Sequence, residues 1–373
     1  MIVGVSTRAF AESAHRAGYR CRTVDAFGDL DQKAMVENVA LARDLGRAYG
    51  VAAAVAIARR WPGPAAYVAN LENHPAAVRR LAAGRRLLGN GPEVLARVRD
   101  PFSLAAVLGS AGVRMPRTLP ATEAGRADPG RAWLRKPVRG GGGSGVGPWR
   151  PGQPLGPRAI LQERLEGTPG SIAFAANGRR AVVLGVSRQL IGDAAFGATG
   201  YRYAGSIFPF VCDDADPASV AEQAAAIAET VTAAFGLRGV NGVDFVARDG
   251  ELYVLEVNPR YTASMELIER ATGLSIFEAH VAALDGALPA PPAPPSGAYG
   301  KAIVYARRDV VMADTRPWLG RDDVRDLPFP GERIRRGRPV CTVFARAPDA
   351  RGCYAGLVAA ARAVEETLMR EAS

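Results

Sequence analysis

The sequence predicts an α/β and α+β multidomain protein that opens with a Rossmann-like α/β unit and closes on a small β-rich unit. Three observations carry this prediction. Short apolar runs alternate with helical segments through roughly the first 95 residues, the pattern of a parallel sheet with crossover helices. The middle of the chain changes to longer β-branched runs joined by Asn-Gly and Asp-Gly turns, which are hairpin signals. A proline-rich stretch, Leu-Pro-Ala-Pro-Pro-Ala-Pro-Pro-Ser at 288–296, then separates this body from a last β-rich segment.

Taken in order, residues 2–6 read as a first strand, 8–17 as a helix stopped by Gly18, and 20–25 as a second strand. Residues 34–49 read as a helix, 52–58 as a buried strand, and 67–70 as a strand running into Leu-Glu-Asn-His-Pro. There is no GxGxxG after the first strand, so a dinucleotide is not implied. Ligands of open parallel sheets gather beyond the carboxyl ends of strands. That makes Ser6, Thr7, Arg8, Glu72 and Asn73 candidate substrate neighbours, although capping and turn formation explain the same residues as well.

Further along, 101–111 reads as a helix ended by Gly112, and 133–137 and 159–164 as strands. Residues 171–176 and 181–187 form a hairpin about Asn177-Gly178, and 215–235 an alanine-rich helix. The closing segment ends in a helix over 354–371. The expected divisions are 1–98, 99–165, 166–287, the connector 288–297, and 298–373.

Composition narrows the function. The net charge of +10 invites a nucleic-acid reading, but the arginines are scattered, aromatic residues make up only 7%, and no nucleic-acid-binding motif is present. Cys21, Cys212, Cys341 and Cys353 are widely spaced, which argues against metal-thiolate sites and disulfides. Only His15, His74 and His280 are available, so a histidine triad or zinc site is not expected. No apolar stretch of ~18 residues suggests a membrane span. The N-terminus reads as a strand rather than a signal peptide, so the expected location is the cytoplasm.

Of 47 basic residues only three are lysines. One of them, Lys136, stands in Trp-Leu-Arg-Lys-Pro-Val-Arg-Gly-Gly-Gly-Gly-Ser-Gly-Val-Gly, residues 133–147. Consecutive glycines let backbone amides approach a ligand closely, and a compact ammonium beside them suits polyphosphate oxygens. A flexible linker is the competing reading of the glycines alone.

A second segment, residues 239–260, holds two strands about Arg-Asp-Gly and ends Leu-Glu-Val-Asn-Pro-Arg. Alternation puts Glu256 and Asn258 on one face, and a loop with an odd number of residues, such as 248–250, adds Asp244 to it. Two carboxylates and an amide oxygen suit Mg²⁺, which keeps waters and takes substrate phosphates as its other ligands. Arg260 follows, placed to grip a phosphoryl oxygen. The competing reading is an edge hairpin with a solvated polar face.

Together these residues resemble the ATP-grasp superfamily of ATP-dependent carboxylate–amine ligases and related carboxylases. The resemblance rests on the Lys136-Pro strand with its glycine loop, Gln162-Glu163-Arg164-Leu165-Glu166-Gly167, Val243-Asp244-Phe245, and Glu256-Val-Asn-Pro-Arg260, in that order over approximately residues 1–285. It implies an ATP-grasp fold with a pre-grasp α/β domain at 1–98, a lid subdomain at 99–165 and a large subdomain at 166–287. It also implies ATP bound by Lys136, covered by Gly141, Gly142, Gly143 and Ser144, with Gln162, Glu163, Arg164 and Leu165 at the adenine. Asp244, Glu256 and Asn258 match metal positions for two Mg²⁺ ions, with Mn²⁺ as a substitute, and Glu256 as their bridge. Arg260 and Lys136 take the catalytic positions.

Two departures are visible. Several relatives carry an acidic residue a few positions after the hinge glycine to hold the ribose, where this chain has Gly167-Thr-Pro-Gly-Ser171. Many members place a second phosphate lysine after an aspartate where this chain has Asp100-Pro101, and Arg97 or Arg99 stand nearby as substitutes. The opening Ser-Thr-Arg-Ala-Phe-Ala-Glu-Ser-Ala-His-Arg-Ala-Gly, residues 6–18, and the Glu72-Asn-His-Pro turn are most similar to a group that includes tyramine–glutamate ligase of methanofuran biosynthesis.

The function expected is an ATP-dependent, ADP-forming ligase that joins a carboxylate, such as glutamate, to an amine through an acyl phosphate, in biosynthesis of a one-carbon carrier. Two alternatives stand beside it, a bicarbonate-activating carboxylase or ribonucleotide ligase of the same superfamily, and an inactive nucleotide-binding regulatory protein. Expected substrate neighbours are Arg8, Glu72 and Asn73 from one side and Tyr261, Ser264 and Glu266 from the other. Glu266 and Glu269 fall in the first turns of a helix, where the macrodipole alone also favours them. Lys301 reads as a solvated lysine. Small-molecule acid and amine partners are expected, with no nucleic acid or membrane, and a homodimer fits.

Overall fold

A computed structural model describes residues 1–370, so Glu371 and the rest of 371–373 lie outside the described residues. The first unit runs β1 (Ile2–Val3), α1 (Arg8–Arg16), β2 (Arg22–Asp25), α2 (Leu30–Met35), β3 (Glu37–Ala40), α3 (Leu41–Leu45), α4 (Val51–Ala58), β4 (Ala65–Tyr67), α5 (Pro75–Ala82) and β5 (Leu87–Leu88). Its five strands are parallel in the order β3-β2-β1-β4-β5. The strand order reverses between β2 and β4 on either side of β1, so a crevice opens at the turns after β1 and β4.

Two expectations fail here. Residues 34–49 are not one helix, because Glu37–Ala40 extend as an edge strand that buries Asn38 and Ala40 against β2. Residues 52–58 are helical, not a strand. Val-Ala-Ala-Ala-Val-Ala-Ile-Ala lacks polar alternation, so periodicity cannot decide between the two, and alanine's helix propensity prevails.

Next come α6 (Pro92–Val98), α7 (Pro101–Ser110), β6 (Thr118–Pro120), β7 (Trp133–Pro137), β8 (Gly147–Trp149) and β9 (Ala159–Glu163). Asp100 caps α7 by accepting from the amides of Phe102 and Ser103, and Pro101 takes the first helical position. The four strands form a small sheet, β6-β9-β7-β8, with Trp133, Trp149 and Leu161 as its core.

The remaining elements are β10 (Thr168–Asn177), β11 (Ala181–Ile191), β12 (Tyr203–Phe208), α8 (Pro217–Phe235), β13 (Arg238–Arg248), β14 (Glu251–Asn258), α9 (Met265–Thr272), α10 (Ile276–Leu284), β15 (Ala298–Tyr305), β16 (Val310–Val311), β17 (Val324–Arg325), β18 (Arg333–Ile334), β19 (Pro339–Ala347) and α11 (Ala350–Arg370). A large sheet runs β14-β13-β10-β11-β12-β15-β19-β17. The C-terminal strands therefore continue this sheet across the proline-rich connector, with Gly205 paired to Ala302. Helices α7 and α8 share one core with the sheet, while α1, α9 and α10 share another through Phe10, which stacks on Tyr261 at 4.7 Å. No described helix is long and apolar enough to cross a membrane.

Candidate active site

The β13–β14 hairpin sets the carboxylates. Its turn has only two residues, Asp249 and Gly250 with φ of 51° and 77°, because Arg248 pairs with Glu251. The extra residue that brings Asp244 opposite Glu256 lies instead in a bulge, where the register shifts between Asp244 and Phe245. The convergence is as expected, but the odd-numbered loop is not its cause. Gly242 pairs with Asn258 in the same ladder, and Asn258 Nδ2 donates to Asp244 Oδ2 at 2.8 Å. Gln189 Nε2 donates to the other Asp244 oxygen at 2.9 Å.

Three cations address this pair. Arg99 Nη1 lies 3.4 Å from Glu256 Oε2 and donates to the Val257 carbonyl at 2.9 Å. Arg260 Nε donates to Glu72 Oε1 at 2.9 Å and its Nη2 to Asn258 Oδ1 at 3.2 Å. Lys136, half-buried on β7, donates to Gln162 Oε1 at 2.8 Å. Burial alone would raise the Glu256 carboxyl, but Arg99, Lys136 and Arg260 hold it below its ordinary range. Burial and the facing Glu256 charge push Asp244 up to about 6. Burial also pulls the Lys136 ammonium down, opposed by Glu256 and Asp244.

Like charges directly opposite one another across a ladder are destabilising. An Asp–Glu pair in that register therefore fits a cation between them. Among the described residues no group of three or more His, Cys, Asp or Glu is placed to hold a metal. Two carboxylates and the Asn258 amide are few ligands, which suits Mg²⁺ rather than a metal that needs a full protein cage. Asp244, Glu256 and Asn258 are the residues that would hold it.

The glycine loop joins β7 to β8 of the small sheet and reaches across to the start of β12 in the large one. Gly142 accepts from the Tyr203 amide at 3.3 Å. A Cβ on Gly143, where φ is 76°, would stand 1.7 Å from the Tyr201 carbonyl oxygen. This position thus requires glycine for backbone approach as well as for conformation. Asn73 Nδ2 donates to the Gly140 carbonyl at 3.1 Å while its Oδ1 accepts from Arg99 Nε at 3.2 Å, so one residue joins the loop, Arg99 and the first unit.

At the hinge, the Glu163 and Arg164 amides donate to the Arg117 and Ala132 carbonyls, and Glu163 pairs with Arg131 at 2.6 Å. Among the described residues the Leu165 amide makes no hydrogen bond, which leaves it available to a ligand. Ser144 is exposed beside Gly141 and Gly142 in the loop.

The expected substrate neighbours divide into two groups. Glu72 and Asn73 are buried and contact Arg260 and Arg99 as described. Arg8 and Glu266 are drawn together, but as a closed ion pair. Arg8 bonds Glu266, Glu12 at 2.8 Å and Asp326 at 2.8 Å. Tyr261 and Ser264 are buried beside them, with Ser264 Oγ 3.3 Å from Thr262 Oγ1.

Lys301 is not solvated. It is 4% exposed and donates to Glu266 Oε2 at 2.6 Å, because Ala-Tyr-Gly-Lys-Ala-Ile-Val-Tyr is an interior strand of the large sheet. Arg99, in the sequence only a nearby substitute for the missing lysine, is placed by the fold directly beside Glu256. Its neighbour Arg97 points away, donating to the Ala234 carbonyl. His280 is structural, with Nδ1 accepting from the Val240 amide at 2.9 Å and burial holding its pKa down to about 4.

Residues 98–264 match the family model of the ATP-grasp domain, a span that takes in Arg99, Lys136, the glycine loop, the hinge and the whole carboxylate hairpin. The chain carries an ATP-grasp domain. The ATP-grasp fold extends to the whole molecule. N5-carboxyaminoimidazole ribonucleotide synthetase from Thermus thermophilus superposes with a TM-score of 0.70 at 20% identity, covering 97% of this chain and 98% of that one. The biotin carboxylase domain of Hydrogenobacter thermophilus 2-oxoglutarate carboxylase, crystallised with MgADP, ADP and bicarbonate, gives 0.72 at 15% identity over 98% of this chain and 89% of that one. In sequence, an uncharacterized protein of Methanocaldococcus jannaschii is 25% identical over 187 residues, half of this chain but 42% of that relative's length. Lys136, Glu256 and Arg260 all fall within the matched span, and Glu72 and Asn73 of the first unit contact Arg260 and Arg99 there.

Proposed function

We propose that this protein is an ATP-dependent, ADP-forming ligase that activates a carboxylate as an acyl phosphate and joins it to an amine. The observation that carries this reading is the convergence of Lys136, Arg99 and Arg260 on the facing carboxylates Asp244 and Glu256. It is a charge arrangement suited to phosphoryl transfer, which depends on positioning and neutralisation more than on a protein nucleophile. No histidine participates.

In the proposed reaction a substrate carboxylate oxygen attacks the γ-phosphorus of ATP and ADP leaves. An amine then attacks the acyl carbon, releasing phosphate and losing a proton. Lys136 from the small sheet and Arg99 from beside Glu256 would face the transferred charge. Arg260, oriented by Glu72 and Asn258, would hold the phosphoryl oxygens as the acyl phosphate forms. Asp244, Glu256 and Asn258 would hold Mg²⁺, which would supply positive charge toward the phosphates of ATP. The Leu165 amide is the hinge group proposed to read adenine. The glycine loop would cover the phosphates and exclude water.

The experiment is ADP release across a panel of acid–amine pairs, glutamate with tyramine among them, and with bicarbonate alone. Lys136→Ala and Glu256→Gln should fold normally and lose ~10²–10³ in turnover with the productive pair, the usual effect of removing one such stabiliser. ADP formation driven by bicarbonate alone moves the reading to a carboxylating enzyme. Undiminished turnover in both variants overturns the site.

A further inference from the structure

A second cleft lies outside the residues assigned so far. It has a volume of about 540 Å³, a size ordinary for a small-molecule site, and lies between the first unit and the start of the glycine loop. Its lining includes Tyr49, Asn70, His74, Arg80 and Arg139 together with the first residues of α4 and α5. No carboxylate lines it. Arg80 and Arg139 are exposed, and among the described residues their guanidinium groups form no ion pair, in a chain where arginines commonly find a carboxylate.

Both helices begin uncapped at the carboxyl edge of the parallel sheet. Among the described residues the amides of Val51, Ala52 and Ala76 have no acceptor, so both positive helix ends are available at this cleft. Burial, with the nearby Arg139 charge, holds His74 below its usual pKa. A cavity lined by two unpaired guanidiniums, two helix N-termini and no acid is complementary to an oxyanion.

We infer that this cleft binds the carboxylate or phosphate group of an acidic substrate, holding the end of the molecule remote from the reacting centre. Its position supports that role. One short turn, residues 70–74, forms the wall shared with the candidate active site. Glu72 and Asn73 on this turn hold Arg260 and Arg99, while Asn70 and His74 line the cleft. A substrate anchored by Arg80 and Arg139 would extend over that wall toward Asp244 and Glu256. The assignment of the anion to a substrate rests on the ligase reading; oxyanion binding itself does not.

The test uses the ¹⁵N-labelled full chain without nucleotide, titrated separately with inorganic phosphate and with glutarate. Saturable shifts of the Val51, Ala52 and Ala76 amides are expected from one or both probes. Binding should weaken about tenfold or more in Arg80→Gln/Arg139→Gln, the loss of charged hydrogen bonds, with thermal unfolding unchanged because both side chains are exposed and unpaired. Response to phosphate alone assigns a phosphorylated substrate, and to glutarate alone a carboxylic one. No shift from either probe, or equal affinity in the double variant, removes the site. Loss of ADP release in Glu256→Gln together with silent amides would leave the ligase reading standing and this inference overturned.

Discussion

Two ionic clusters in this molecule are built from the same residue types and behave in opposite ways. Around Arg8, a buried guanidinium is shared by Glu12, Glu266 and Asp326, and Glu266 is closed off on its other side by Lys301. Around Glu256, Arg99 stands 3.4 Å away, Lys136 is bound to a neutral glutamine, and Glu72 Oε2 is buried without a partner. The first cluster joins α1, α9 and the C-terminal strands, and Glu12, Glu266 and Asp326 in it each accept a hydrogen bond from a cation. The second leaves one facing carboxylate pair and three cations incompletely matched. Internal saturation marks a strut, and incomplete matching marks a place where a ligand completes the set.

The largest effect should come from breaking the strut. Glu266→Gln leaves Arg8 and Lys301 buried without their shared charge, and about 3–5 kcal/mol of stability should be lost in urea unfolding, the usual result of removing one partner of a buried pair. A loss below ~1 kcal/mol would mean that the closed cluster is not what ties the three segments together. Burial works against the Glu266 carboxylate, but Arg8 and Lys301 hold its pKa well below the usual range. Its contribution is therefore complete at neutral pH and disappears only as acid titrates through that depressed value.

Next in size is the Arg99 comparison. Arg99→Ala should raise the Kd for ATP by roughly 10- to 100-fold, the effect of a charge-assisted contact worth ~1.5–3 kcal/mol, whereas Arg97→Ala should leave it unchanged. Equal effects from the two would remove Arg99 from the site. Gly143→Ala tests loop closure. With no room beside the Tyr201 carbonyl, the loop must shift, and affinity for ATP should fall while the melting temperature stays within a few degrees.

The smallest effect concerns Mg²⁺ and pH. Without metal, burial and Glu256 raise the folded-state pKa of Asp244 to about 6, above its unfolded value, so this group favours folding at low pH and loses that contribution as pH rises from about 4 through 6. Mg²⁺ binds the ionised form. Its stabilisation in thermal melts should therefore be larger at pH 7 than at pH 5, and Asp244→Asn should flatten the difference. A metal shift independent of pH in the wild-type chain contradicts the assignment.

Much of this site was legible because it is local. Two strands about Asp249-Gly250, the alternation of Glu256 and Asn258, and four glycines after Lys136 all lie within short windows. The parts misread depend on through-space context. A bulge replaces the odd-numbered turn without leaving a mark in Leu-Tyr-Val-Leu-Glu. Arg99 and Arg97 look equivalent until α6 and the following turn direct one to Glu256 and the other to α8. Lys301 reads as a surface lysine because its partner Glu266 lies on a different element, and the apolar flanks that place it inside the sheet resemble any edge strand. In the first unit, Ala-rich α4 had no polar residues with which to show its period.

The pairing of β12 with β15 also governs how the molecule comes into being. Gly205 cannot find its partner until Ala302 has been synthesised, and Lys301, which arrives with it, completes the charge of Glu266. During translation the strands from β10 to β14 can pair among themselves while β12 remains an open edge. The carboxylate hairpin therefore exists before the strut, while the first unit already meets it through Tyr67 and Asn90, which donate to the Pro259 carbonyl. Completion of the large sheet at β12 waits on residues 298–305, which follow every motif of the candidate site in the sequence.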